Sequence, residues 1–278
     1  MIRPIALVQA QPWFVGSAHQ PISSCFGSGG AFGIGFDMGV VTALIDSGIP
    51  VDKGPMLGTS AGAWTAASVA AGLTWDELLD IPEGFERTDE PVRVIELTSS
   101  LFGDLHDARV TGMAIQLPFG RRTALSGEDH ALADVVAASS SPPKFAHPHK
   151  IGGRRYIDAG ITRCTSADRA ESAHVLVVVT PMTGRVVGPF GRVCEGITRF
   201  EIEQWRIRTG GDVLFIRPNA DIASFVADGG IDALLDVEAG RRVFEPAYEL
   251  GLRCAEEFLE SHPKEAEEFE LLRSAPAT

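Results

Sequence analysis

A serine between two glycines, in the stretch MLGTSAGAW (Met56 to Trp64), is arranged for chemistry. A Gly-x-Ser-x-Gly turn between a strand and a helix is so tight that only glycine fits on either side, here Gly58 and Gly62. The turn lifts the Ser60 hydroxyl clear of the sheet, and the N-terminus of the following helix favours an oxyanion beside it. Ser60 is therefore a candidate nucleophile, and a merely structural glycine-rich turn is the alternative.

A second glycine-rich segment, GSGGAFGIG, begins upstream at Gly27 and allows three interpretations. In the first, the backbone N–H groups of Gly29, Gly30 and Ala31 point at a developing negative charge and form an oxyanion hole. In the second, the glycines form only a structural loop. In the third, the segment binds the phosphate groups of a dinucleotide cofactor.

A dinucleotide-binding oxidoreductase would use this segment as a phosphate cradle. Gly27, Gly29 and Gly33 give a loose GxGxxxG pattern, and Asp52 follows roughly twenty residues later, as a ribose-binding acid would. This interpretation explains the glycines but leaves the Ser60 turn without a role. It also requires a strand that ends near Asp52, and the residues that follow, KGPML, do not clearly mark such an end.

A serine nucleophile needs a base, and the histidines of this chain are poorly placed to supply one. In the order Ser–Asp–His, only His174 and His262 come late enough. Both are expected to be structural or solvated, so a Ser–His–Asp esterase is a minor alternative. His147 and His149 have an HxH spacing that suits a metal, but no acidic or cysteine cluster accompanies them, and a surface loop is expected.

The composition limits the class of function. With 278 residues, 45% of them hydrophobic and 22% charged, the chain can bury a sizeable core. Its formal net charge of −13 disfavours nucleic-acid binding and broad docking on anionic membranes. The N-terminal residues 1–15 read poorly as a signal peptide, and no apolar run reaches the ~18 residues of a membrane span. We therefore expect a cytoplasmic protein.

Four cysteines are scattered along the chain without a CxxC pair: Cys25, Cys164, Cys194 and Cys254. This pattern predicts reduced, mostly buried thiols rather than a disulfide framework or a zinc site. No residues are spaced to hold a metal ion or an organic cofactor, so neither is expected.

Strand-like and helix-like segments alternate along the chain. AHVLVVVTP, from Ala173 to Pro181, is an unbroken apolar run typical of a buried parallel strand, and GDVLFIRPN is another. FGIGFDMGVVTALIDSGI has apolar residues at helical spacing and a stop near Gly48, and the region from Gly230 to Phe269 is mostly helical in pattern. The alternation predicts one α/β domain with a largely parallel sheet and no linker.

Two regions between these elements are harder to assign. SGEDHALADVVAASSSPPKF predicts a helix that is capped by Ser126, carries acidic residues in its first turn and stops before two prolines. Between Trp75 and Phe119 the pattern predicts a helix from Trp75, a loop around Pro82 and an amphipathic stretch near residues 92–101.

Three blocks, in this order and spacing, make the sequence resemble the patatin-like phospholipase family. They are GSGGAFGIGFDMGVVTALIDSGIPVDKGPMLGTSAGA, then AASSSPPKFAHPHKIGGRRYIDAGI, then RVFEPAYELGLRCAEEFL, the last similar to the tail of bacterial members. The resemblance runs from about Ser24 to Phe258 and is weakest between Trp75 and Phe119. It implies a single three-layer α/β/α domain over residues 1–278, with a motif-bearing core at about 22–260.

The same resemblance implies a chemistry that needs no histidine. The family works by a Ser–Asp dyad, in which Ser60 of GTSAG would be the nucleophile and Asp158 of YIDAG its base. Gly29, Gly30 and Ala31 would line the oxyanion hole. An aspartate with its usual pKa near 4 is a weak base, but it suffices if it hydrogen-bonds the serine directly and the oxyanion hole does most of the stabilising. Taken alone, Asp158 would be a turn residue that caps its own backbone.

The chain departs from the family pattern at three positions. Ser28 replaces the first glycine of the usual G-G-G-x-[RK]-G block, and Phe32 stands at its basic position, which removes a charge near the oxyanion loop. Ala159 follows the aspartate where the family usually has glycine. Both side chains of the dyad are kept.

The resemblance, together with the Ser60 turn, implies a carboxylic-ester hydrolase of the phospholipase A or lysophospholipase type. It would cleave acyl-ester lipids through an acyl-enzyme, contact a membrane surface only transiently, and use no nucleic acid, metal or cofactor. The alternative from another class is a catalytically silent relative that binds lipid or a partner. The sequence leaves the lipid headgroup, the acyl length and the oligomeric state open.

Overall fold

The computed structural model describes residues 20–79, 93–227 and 229–274, within which strands and helices alternate. The strands are β1 (Gln20–Phe26), β2 (Met56–Thr59), β3 (Val110–Leu117), β4 (Arg121–Ser126), β5 (His149–Ile151), β6 (Arg154–Asp158), β7 (Ala173–Val179) and β8 (Asp212–Ile216). The α-helices are α1 (Gly30–Asp46), α2 (Ala61–Ala71), α3 (Trp75–Leu79), α4 (Val94–Phe102), α5 (Leu132–Ser139), α6 (Pro189–Thr209), α7 (Ala220–Ser224), α8 (Gly230–Ala233), α9 (Val237–Ser261) and α10 (Pro263–Ser274). The predictions for residues 1–15 and for the loop around Pro82 lie outside the described ranges.

The strands of the described residues form one mixed, mostly parallel sheet. β1 pairs in parallel with β2 and β7, β7 with β8, and β2 with β3. β3 also pairs antiparallel with β4 and β6, and β5 closes that side of the sheet. The predicted parallel sheet is confirmed, with antiparallel strands added at one side.

Apolar residues on both faces of the sheet explain why helices cover both. Along β7, Val175, Val177 and Val179 join the core under α1, α2 and α9. Leu176 and Val178 point the other way and join a second core under α6. A strand buried on both faces requires an unbroken apolar run, as AHVLVVV predicts. The architecture is the expected three-layer α/β/α arrangement.

The middle of the chain contains two short helices before it joins the sheet. The helix predicted from Trp75 is α3, and the amphipathic stretch is α4, which buries Val94 and Leu97. β3 follows and pairs with β2, β4 and β6. None of the helices in the described ranges combines the length and the hydrophobicity that a bilayer crossing requires.

The helix cap predicted at Ser126 is wrong. Ser126 ends β4, which pairs with β3, and α5 begins only at Leu132. The Ser126 hydroxyl instead accepts a hydrogen bond from the Glu128 N–H at 3.1 Å, in the turn after the strand. Pairing with a long neighbouring strand outweighs the local capping pattern, because tertiary contacts override weak local preferences.

The prediction of four reduced thiols is wrong for two of the cysteines. Cys164 and Cys194 form a disulfide that links the segment after β6 to α6. Cys25 is a buried free thiol and Cys254 a half-buried one. The bonded cysteines are 30 residues apart, so their proximity depends on the fold rather than on any local spacing.

Candidate active site

β2 and β6 lie end to end along one edge of β3. β4 pairs with the same stretch of β3 and therefore occupies its other edge. On the first edge, Thr59 at the end of β2 pairs with Met113, and Asp158 at the end of β6 pairs with Ala114. Because β2 is parallel to β3 and β6 is antiparallel, the C-terminal ends of the two strands meet. Ser60, directly after Thr59, therefore lies beside Asp158.

Ser60 occupies a strained turn between β2 and α2. Its φ of 54° and ψ of −116° belong to a region that favours glycine. A Cβ on Gly62 would overlap the carbonyl group of Phe26, and one on Gly58 would overlap the carbonyl of Gly62. The strand, sharp turn and helix that the sequence predicts around the serine are therefore present, and they depend on both glycines.

Asp158 is buried next to the Ser60 hydroxyl. Burial raises the pKa of the Asp158 carboxyl to about 6, although hydrogen bonds with the Ser60 hydroxyl and the Gly160 N–H lower it. The Gly160 N–H donates to Oδ1 of Asp158 at 2.6 Å, so the aspartate also caps its own turn. A carboxyl group with this raised pKa is a better general base near neutral pH than an exposed aspartate.

The loop between β1 and α1 brings backbone donors to the same place. In the described part of the chain, the N–H groups of Gly29, Gly30 and Ala31 have no backbone acceptor. Gly30 and Ala31 line a cavity together with Ser60, and Gly29 and Gly30 line a cleft together with Ser60 and Asp158. The N-terminus of α1 adds a partial positive charge. An oxyanion formed at Ser60 would therefore meet unpaired donors.

A run of three serines at the end of α5 holds the strand ends together, a role that the sequence patterns did not predict. The Ser139 hydroxyl accepts a hydrogen bond from the Ser60 N–H at 2.9 Å and donates to the Met113 carbonyl at 2.7 Å. The Ser141 carbonyl accepts from the Asp158 N–H at 3.1 Å. The available signal was SSSPP at the end of an otherwise apolar helix, a place where hydroxyl groups are unusual unless they bond to the backbone.

Ser140, the middle serine of this run, is different from its neighbours. Its side chain is buried, and its hydroxyl has no hydrogen-bond partner among the described residues. It lines a cavity together with Ser60. A buried hydroxyl without a partner is costly, so its position at a cavity suggests a missing partner in that cavity.

Two cavities meet at Ser60. The apolar cavity, of about 260 Å³, is lined mainly by Trp64, Trp75, Leu78, Leu97, Leu101 and Leu235. The dyad cleft, of about 150 Å³, is lined by residues that include Asp158, Ser28, Phe145, Ile161, Phe190 and Ile231. Within the described ranges, Asp158 is the only ionisable side chain that lines either space. The arrangement suits an uncharged ester with an apolar chain.

The three departures from the family pattern have separate structural explanations. Phe32 is fully buried in the core, so it does not reach the cavities. The Ser28 hydroxyl donates to the Cys164 carbonyl at 2.9 Å, which ties the glycine loop to the segment after β6. Ala159 begins a 3₁₀ turn and is not among the residues with positive φ, so its Cβ causes no backbone strain.

The late histidines do not reach the candidate site. His174 is exposed on β7, with Nδ1 at 2.8 Å from an Oε2 of Glu268. His262 directly follows α9, with Nδ1 at 3.0 Å from the Phe258 carbonyl oxygen. Neither lines the apolar cavity or the dyad cleft. Among the described residues, no histidine lines either space at Ser60, so the Ser–His–Asp interpretation finds no support there.

The cofactor and metal interpretations also lack support from the geometry. Asp52 precedes β2 and so lies at the opposite end of the sheet from the glycine loop, where its carboxylate pairs with Lys53. In the HxH pair, Nε2 of His149 lies 2.6 Å from Oδ1 of Asp134. No group of three or more His, Cys, Asp or Glu side chains in the described residues is placed to hold a metal ion.

Comparisons with known proteins find one distant structural similarity and no match by sequence. No protein-family model matches the chain, and no curated protein matches it either. Among solved structures, the chain is similar to the crystal structure of VipD from Legionella pneumophila, with 13% sequence identity over 87% of this chain and 67% of that chain. The TM-score is 0.43, which is too low to carry an argument, so the site is interpreted from its own geometry.

Proposed function

We propose that this chain is a serine carboxylic-ester hydrolase that cleaves acyl-ester lipids, with Ser60 as nucleophile and Asp158 as its base. The observation that carries the proposal is the meeting of two strand ends. It places Ser60 and the buried carboxyl of Asp158 in one cleft, next to an apolar cavity that Ser60 also lines. The sequence resemblance to patatin-like phospholipases supports the same chemistry.

The reaction would proceed in two halves. As the Ser60 Oγ attacks the ester carbonyl carbon, its proton passes to the Asp158 carboxylate, and the oxyanion accepts hydrogen bonds from the free N–H groups of the glycine loop. The bond to the alcohol oxygen then breaks, and Asp158 returns its proton to that oxygen. Water attacks the acyl-enzyme, Asp158 takes a proton from the water, and the Ser60 oxygen leaves with that proton.

The two cavities divide the substrate between them. The apolar cavity would take the acyl chain, because its walls are mainly hydrocarbon. The alcohol side would leave through the dyad cleft, where Ile161, Phe190 and Ile231 are 50%, 39% and 54% exposed. Exposed apolar residues around the mouth of such a cleft favour brief contact with a lipid surface.

The test is hydrolysis of p-nitrophenyl esters from acetate to palmitate, with fluorophosphonate labelling followed by peptide mass spectrometry. We expect turnover, an optimum chain length set by the apolar cavity, and a single labelled residue, Ser60. Absence of both turnover and labelling would contradict the proposal and would favour the silent lipid-binding alternative.

Activity is expected to depend on pH through Asp158. The base must be ionised, and burial raises its pKa to about 6, so kcat/KM should be flat above that pH and fall about tenfold per pH unit below it. The measurement is kcat/KM on p-nitrophenyl butyrate across the acidic and neutral range, with a check that the protein stays folded. A midpoint near the ordinary aspartate value of about 4 would contradict a desolvated base.

Ser140→Ala is expected to lower kcat/KM about tenfold, because the unpartnered hydroxyl would otherwise donate to the bound ester. The matched control is Ser68→Ala on α2, which removes another buried hydroxyl without a partner that lines neither space. The control should leave kcat/KM unchanged. An unchanged kcat/KM in Ser140→Ala would mean that the hydroxyl does not contact the substrate.

A further inference from the structure

A third cavity is lined by basic side chains, although the chain as a whole has a net charge of −13. This basic cavity has a volume of about 410 Å³ and lies between the start of α4 and strands β5 and β6. Its polar lining consists of Arg93, Ser141, His147, His149, Lys150 and Arg155. No aspartate or glutamate of the described residues lines it. The cavity is therefore a local concentration of positive charge in an acidic protein.

Acidic side chains of the described residues leave the arginines and the lysine of the basic cavity unpaired, and only His149 there lies beside a carboxylate, that of Asp134. Among the described residues, the side chains of Arg93, Lys150 and Arg155 have no salt-bridge partner. By contrast, Arg109 pairs with Asp107 and Arg122 with Asp168. Like charges held around one space repel each other, and an anion bound there would offset that repulsion.

The start of α4 adds backbone donors to the same cavity. Val94 and Ile95 line it, and they are the first residues of a nine-residue helix whose N-cap, Arg93, makes no capping hydrogen bond with its side chain. Helix N-termini carry unpaired N–H groups and a partial positive charge, both of which favour an anion. This effect adds to the basic cluster, which is the main observation.

We propose that the basic cavity is a binding site for a phosphate group. The donors are two guanidinium groups, an ammonium group and the imidazole of His147, because the Ser141 hydroxyl already donates to the Ala137 carbonyl and Nε2 of His149 already lies 2.6 Å from Oδ1 of Asp134. Such a set suits the oxygens of a tetrahedral phosphate better than the two oxygens of a carboxylate. The volume leaves room for a phosphate ester as well as for the free ion.

The phosphate site adjoins the candidate active site but is distinct from it. Val94 lines both the basic cavity and the apolar cavity. Ser141, which lines the basic cavity, accepts the Asp158 N–H through its carbonyl group. The phosphate group would come either from a soluble compound or from the headgroup of a phospholipid. Its binding requires no hydrolysis, so the proposal can be tested without reference to activity.

The first arm of the test is calorimetric titration of the full chain with inorganic phosphate, with sodium chloride at the same ionic strength as the blank. Arg155→Ala is expected to weaken binding about tenfold or more, because a charge-assisted hydrogen bond is lost. The matched control is Arg154→Ala, since Arg154 is the preceding exposed residue of β6 and does not line the cavity. This control should stay within about twofold of wild type.

The second arm measures co-sedimentation with phosphatidylcholine vesicles, with and without phosphatidic acid as a minor component. Phosphate binding that depends on Arg155 supports the site and identifies a soluble source. Arg155-dependent binding only to vesicles with phosphatidic acid supports the site and identifies a lipid headgroup. If Arg155→Ala and Lys150→Ala both behave like wild type and Arg154→Ala in the two arms, the proposal is overturned.

Discussion

Ser60→Ala is expected to lower ester hydrolysis by about 10⁴-fold or more and to prevent fluorophosphonate labelling. The variant keeps the cavities and the free N–H groups of the glycine loop, but it has no atom that can form the acyl-enzyme. The measurement is kcat/KM on p-nitrophenyl butyrate, with circular dichroism as the check on folding. A folded variant that keeps more than about a hundredth of wild-type activity would be inconsistent with covalent catalysis at Ser60.

Ser60→Gly separates the chemistry of this residue from its strain. A side chain at φ 54° and ψ −116° costs about 1–3 kcal/mol, whereas glycine adopts this conformation freely. Ser60→Gly should therefore be as inactive as Ser60→Ala but more stable in urea unfolding. A serine kept at a strained position is expected when the position serves a reaction rather than stability.

Asp158→Asn is expected to lower kcat/KM by about 10²–10⁴-fold, the usual contribution of a general base. The same substitution should leave the folded state as stable as the wild type or make it more stable. Burial raises the folded-state pKa to about 6, so the folded state binds the proton more tightly than the unfolded chain does. The ionised carboxyl therefore opposes folding, and stability falls as the pH rises from about 4 through 6.

The asparagine variant removes that ionisation. Its thermal midpoint at pH 8 should match or exceed the wild-type value. As the pH is lowered toward 5, the wild type should gain more stability than the variant, since burial also raises the pKa of Asp37 and Glu201 and both proteins keep those two carboxyls. Loss of activity together with a lower midpoint would instead indicate that Asp158 is a structural capping residue for the turn at Gly160.

The layers of the fold could be predicted because each depends on a local pattern. The apolar run of β7 indicates that both faces of the strand are buried, and Gly58 and Gly62 indicate where β2 ends and α2 begins. The Ser126 cap failed because pairing between β3 and β4 depends on residues outside the local window. The Cys164–Cys194 disulfide joins two segments that only the fold brings together.

The geometry of the candidate site depends on strand register, which has no local signal. The glycine-flanked turn predicts a strand before Ser60, but no local pattern predicts that Thr59 and Asp158 pair with consecutive residues of β3. The pairing of Ser60 with Asp158 therefore came only from the family resemblance. The role of the serines at the end of α5 was missed for a related reason, since the partners of Ser139 are backbone groups of Ser60 and Met113, which are distant in sequence.

Gly62→Ala is expected to be the most damaging change of a single methyl group, with a loss of about 3 kcal/mol in the free energy of unfolding. The added Cβ would overlap the carbonyl group of Phe26 at the end of β1. A backbone carbonyl cannot rotate away as a flexible side chain would, so either α2 or the end of β1 must move. The measurements are urea unfolding and kcat/KM on the same preparation.

Movement of either α2 or the end of β1 would displace part of the candidate site, because α2 begins directly after Ser60 and the glycine loop directly follows β1. A displacement of about 1 Å between the nucleophile and the oxyanion donors costs about 10²-fold in rate, so activity should fall even where the variant remains folded. The matched control is Gly196→Ala on α6, where the added Cβ would meet nothing within 4 Å. That helical glycine is exposed, and the control should gain about 0.5–1 kcal/mol without a change in kcat/KM. If Gly62→Ala were as stable and active as this control, the contact between α2 and β1 would not be what shapes the turn at Ser60.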